Sequence, residues 1–103
     1  MSAKEFRNDD KRYLAWIDQH PRGFVLNRRS AGNSASYMVL HTSTCRTVSQ
    51  LSGNGSEGGF TGRAYIKVCA SDRQALADYV RANGRPDGSF SKECAFCKPS
   101  ATI

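Results

Sequence analysis

The chain predicts a small α+β domain: a three-stranded antiparallel sheet, two helices, and a zinc site joining the hairpin end to a C-terminal CxxC. Three observations lead there. Two segments carry apolar residues at helical spacing, and three short runs are rich in strand formers. The third is a shortage. Leu, Ile, Val and Phe number 18 of 103 residues, below the roughly 20% at which chains tend towards disorder. A chain of this length buries about 65% of its unfolded surface, so an extra staple would help, and the four cysteines are the place to look for one.

The elements follow in order. Residues 1–8 are polar and are expected to be disordered, as are 100–103. Asp9 or Asp10 can cap a helix over 10–19, with Tyr13, Leu14, Trp16 and Ile17 forming its apolar stripe. Pro21 and Gly23 end that helix. FVLN (24–27) and YMVLH (37–41) read as strands of a hairpin turning at Gly32-Asn33. Ser43 or Thr44 can cap a short helical turn carrying Cys45, Val48 and Leu51.

Residues 52–62 hold five glycines and read as a surface loop. No Gly-Lys-Ser/Thr ending follows them, and a strand rather than a helix comes next, so this is not a phosphate-binding loop. AYIKVCAS (64–71) is the third strand. Ser71 and Gln74 fit a capping box for a helix over 72–83, which places Ala75, Leu76, Tyr79 and Val80 inward and is ended by Gly84 and Pro86. One domain spans 1–103.

The chain carries 15 basic and 9 acidic residues, a net charge of +6. Between His20 and Lys67 the basic residues are Arg22, Arg28, Arg29, Arg46, Arg63 and Lys67, against one acid, Glu57. Such a stretch suits a phosphate backbone. Arg28, Arg29 and Arg46 are the first candidates for DNA phosphate contacts, because they flank a strand and the cysteine-bearing turn. Arg63 and Lys67 are second. The 72–83 helix offers only Arg73, Gln74 and Arg81, too few polar residues for reading base edges.

No apolar run reaches the roughly 18 residues of a membrane span. The amino terminus lacks the apolar segment of a secretory signal, so a cytoplasmic protein with reduced thiols is expected. Reduced thiols favour metal over disulfides. Cys94-Ala-Phe-Cys97 has the spacing of a zinc knuckle, and His41-x-x-x-Cys45 adds an imidazole and a thiolate one helical turn apart. His41, Cys45, Cys94 and Cys97 can close a tetrahedral Cys₃His site for Zn²⁺. Cys69 is the alternative to His41, giving Cys₄, although a packed thiol is the preferred reading of Cys69. Two disulfides, or four unrelated thiols, are the competing accounts of the set.

From Tyr37 to Pro99 the order of motifs resembles the small metal-binding domain of bacterial Ada-type DNA-repair methyltransferases and its stand-alone relatives. The matching features are LHTSTC (40–45), VCASDRQAL (68–76), the glycine after that helix, and CAFCKP (94–99). The resemblance implies a structural zinc on Cys45, Cys94 and Cys97, with His41 in the first ligand position. In the repair proteins that position is a cysteine, which accepts a methyl group from a DNA phosphotriester. Imidazole is a far poorer acceptor, so the resemblance implies a non-catalytic module. The glycine-rich insertion and the lack of a following helix-turn-helix also depart from the family.

His20 is then the only other histidine, and a helix-capping role suits it. No pair of acids suits two-metal phosphodiester chemistry. The expectation is a zinc-stabilised, non-enzymatic module binding DNA mainly through its backbone. The alternative is a protein-interaction adaptor with a structural zinc and no nucleic-acid role.

Overall fold

The computed structural model describes residues 3–29, 34–45, 48, 61 and 65–94. Along these run β1 (Lys4–Phe6), α1 (Asp10–Gln19), β2 (Phe24–Arg29), a 3₁₀ turn (Ser34–Ser36), β3 (Met38–Thr42), β4 (Tyr65–Ala70), α2 (Arg73–Ala82) and β5 (Lys92–Glu93). The Gly32-Asn33 turn, the 52–62 loop and the 100–103 tail lie outside the described residues. So does most of the expected helical turn after Cys45.

The sheet has five strands in the order β1-β4-β2-β3-β5, not three. It is mixed, because β5 runs parallel to β3 while the other pairs are antiparallel. The central three strands are the ones expected from sequence. Both additional strands are edges of two or three residues, KEF and KE, in which charge outnumbers apolar side chains. Lys4–Phe6 is thereby ordered within a segment expected to be disordered, and Phe6 is buried.

Alternation along the strands sends side chains to two cores. Leu26, Met38, Leu40, Val68 and Ala70 pack with Ala75, Leu76 and Val80 of α2. Val25 and Cys69 pack on the other side with Phe6 and with Tyr13 and Ile17 of α1. One helix therefore covers each face of the sheet. That is why β3 is buried at every position and β4 at every position after Tyr65.

Local chemistry sets the helix ends. Asp9 caps α1 by accepting from the Arg12 N–H at 3.2 Å. Asp10 instead accepts from both the N–H and the hydroxyl of Thr61, at 2.8 and 2.6 Å. For α2 the cap is Asp72, accepting from Ala75 N–H at 2.8 Å, and not the Ser71/Gln74 box. The helix begins at Arg73, so Asp72 is the residue whose carboxylate reaches the third helical amide. Gly84, at φ +110°, turns the chain out of α2.

Candidate metal centre

Register builds the centre. β2 and β4 are antiparallel, as are β2 and β3, so β4 and β3 share a direction, and β5 joins them in it. The β4–α2–β5 crossover thus carries the chain over β2 and β3 to the far edge. There Leu40 pairs with Glu93, and the Cys94 N–H donates to the Leu40 carbonyl at 2.9 Å. The next residue on β3 is His41. Four positions on, the chain folds back through a turn in which the Cys45 N–H donates to the Thr42 carbonyl at 3.1 Å.

The ligand atoms of His41, Cys45 and Cys94 all lie within 4.8 Å of one another, and together these side chains could hold a metal ion. The two sulfurs are 4.0 Å apart, and both residues are free thiols. Exposures of 7%, 4% and 9% put the group inside the protein. Burial, aided by the Lys67 ammonium, lowers the His41 pKa to about 4. At neutral pH the imidazole is therefore uncharged and keeps a lone pair for a ligand bond.

The turn that carries His41 and Cys45 is braced from behind. Ser43 donates its N–H to the Gly23 carbonyl at 3.0 Å and its hydroxyl to the His20 carbonyl. His20 itself donates from Nδ1 to the Trp16 carbonyl at 2.8 Å and stacks on the Trp16 ring, closing the end of α1. In the sequence the HPRG segment reads as a helix stop and a turn. Its role as a brace depends on a contact across more than 20 residues that no local pattern announces.

The remaining candidate ligands and contacts divide clearly. Cys97 lies outside the described residues, as do Arg46 and Arg63. Cys69 pairs with Val25, which pairs with His41, so two strand spacings separate its backbone from His41. Its thiol is fully buried in the α1-side core and outside the ligand group, and burial raises its pKa.

Two of the expected phosphate contacts do not face solvent. Lys67 is 5% exposed and donates from Nζ to Asn27 Oδ1 at 3.0 Å. Arg28 donates to the Tyr79 hydroxyl and stands 4.0 Å from a Glu5 oxygen, tying β2 to α2 and β1. The uneven charge marks both as candidate phosphate contacts, and charge alone does not say which side chains the fold covers. Of the three expected contacts that fall among the described residues, Arg29 alone is exposed. No described helix is long and apolar enough to cross a membrane.

No family model, curated protein or solved structure matches this chain.

Proposed function

We propose that the protein is a small zinc-stabilised module that binds DNA mainly through the phosphate backbone and performs no chemistry of its own. The observation carrying this reading is the convergence of His41, Cys45 and Cys94 at the β3–β5 edge. One imidazole and two thiolates are a borderline-soft donor set that suits zinc better than magnesium or calcium. Two thiolates on a tetrahedral zinc, with Zn–S near 2.3 Å, lie about 3.8 Å apart, close to the spacing seen here. Cys97, two residues beyond Ala95, is the natural fourth ligand, as the resemblance to Ada-type domains implies.

The DNA part of the reading rests on charge. The chain has a net charge of +6, and the exposed Arg29 makes no ion pair among the described residues. With Arg28 and Lys67 turned inward, Arg29, Arg46 and Arg63 remain as the proposed backbone contacts.

Elemental analysis of protein purified without added metal tests the first half. One zinc per chain is expected, reduced in His41→Ala and unchanged in Cys69→Ala. Titration of labelled duplex DNA at two salt concentrations tests the second. Binding that weakens steeply with salt is expected. Zinc without any DNA binding at low salt would leave the interaction adaptor in its place.

A further inference from the structure

Three residues from three neighbouring chain segments meet at the end of the sheet where β2 stops. Arg29 is the last residue of β2 and pairs with Tyr65, the first of β4. Tyr37 stands immediately before β3, whose first residue pairs with Arg28. The two tyrosine rings are 5.2 Å apart between centroids, tilted at 47°. The Arg29 guanidinium lies 5.9 Å from each of them. The rings are half-buried and the arginine is exposed.

The other two tyrosines have hydroxyl partners within the fold. Tyr13 donates to the Val48 carbonyl, and Tyr79 donates to Glu5. Neither Tyr37 nor Tyr65 makes a hydroxyl hydrogen bond to any described residue, and Arg29 has no carboxylate partner among them. A planar cation held against two partly open aromatic rings has lost part of its rotamer freedom in advance, which lowers the cost of binding.

Resting on the nucleic-acid reading above, we infer that Arg29, Tyr37 and Tyr65 form a stacking site for the bases of a single-stranded nucleic acid. Duplex DNA hides its base faces inside the stack, whereas a single strand offers them to aromatic side chains and arginine planes. The site is tolerant of sequence, because every base has such a face. The guanidinium serves in the same place for the adjoining phosphate. Partners of this kind fit a basic protein whose α2 offers only Arg73, Gln74 and Arg81 towards groove reading.

Fluorescence anisotropy with a labelled oligothymidine and a duplex of equal length tests the site. The wild-type protein is expected to bind the single strand more tightly than the duplex. Tyr65→Leu and Tyr37→Leu should each weaken single-strand binding roughly 5- to 150-fold, the loss of one stacked base, and leave duplex binding nearly unchanged. Tyr65→Phe should retain the affinity, since the ring and not the hydroxyl stacks. Arg29→Gln should reduce the salt slope of binding by about 1.

In the wild-type protein, which removes any dependence on how the variants fold, the ring protons of Tyr37 and Tyr65 should shift on addition of oligothymidine. Equal affinity for both DNAs, or unshifted rings under saturating oligothymidine, would overturn the stacking site while leaving backbone binding intact. Absence of binding to either DNA at low salt would overturn both.

Discussion

Lys67 is a cation enclosed by the α1 side of the sheet, with Asn27 as its hydrogen-bond partner and Asp10 and Cys69 as the nearby acidic groups. Burial is the largest influence on it and lowers its pKa from the ordinary 10.5 to about 8, against the opposing pull of Asp10. Between those two values the folded chain has released a proton that the unfolded chain still holds. Stability from this group is therefore fully present above the unfolded value, and it is lost as pH falls through about 8. At pH 7 the ammonium is charged in both states and its burial is a cost, on the order of 1–3 kcal/mol once the Asn27 bond is set against it. Lys67→Met is expected to be more stable than wild type at pH 7 by about that amount, with the gap narrowing from pH 8 to 10.5. Urea unfolding of both proteins at pH 7 and 9.5 measures it, and a gap independent of pH would mean that Asn27 and Asp10 hold the proton at its ordinary affinity.

At the level of elements, the contact between α1 and the ligand turn passes through Gly23. A Cβ there would stand 2.7 Å from the far edge of the Trp16 ring and 3.2 Å from the Ala70 carbonyl. The ring is held by its stack on His20, so it cannot swing aside without disturbing the carbonyl that receives the Ser43 hydroxyl. Gly23→Ala is expected to destabilise the fold by about 1–3 kcal/mol and to weaken metal retention, read by thermal unfolding and by elemental analysis after dialysis. Full stability in this variant would show that the Trp16–His20 stack is loose. None of this crowding is visible in sequence, where Gly23 reads only as a breaker. What is visible follows from local physics. The helix over 10–19 shows because Tyr13 and Ile17 repeat at helical spacing behind a capping Asp9. The strands at 24–29, 38–42 and 65–70 show because each concentrates apolar residues between polar breaks. β1 and β5 are too short and too charged to carry a period, and they exist because β4 and β3 offer open backbone edges. His41, Cys45 and Cys94 were recognisable as a set by their chemistry, whereas the β5 pairing that brings them together was not.

For the molecule as a whole, β5 is the weakest attachment. It holds the sheet by two paired residues, with the Ser91 and Cys94 amides donating to Met38 and Leu40 carbonyls. A metal bound by His41, Cys45 and Cys94 ties residues 41–45 to residue 94 and so closes about half the chain into one loop. Loop closure restricts the unfolded ensemble, and a site absent from the unfolded chain returns its binding free energy as folding free energy. Metal removal is thus expected to act unevenly. Chelation of metal-loaded protein should lower the melting temperature by about 10 °C or more, since each 1 kcal/mol moves a domain of this size by roughly 4–8 °C. Hydrogen exchange at the Ser91 and Cys94 amides should accelerate first, because the metal no longer ties the end of their strand to His41 and Cys45. Amides between β2 and β4, paired over six positions at the centre of the sheet, should stay protected until the whole domain opens. An unchanged melting temperature after verified metal loss would mean that the two cores hold β5 in place unaided, and that the metal serves the surface around Cys45 instead of the fold.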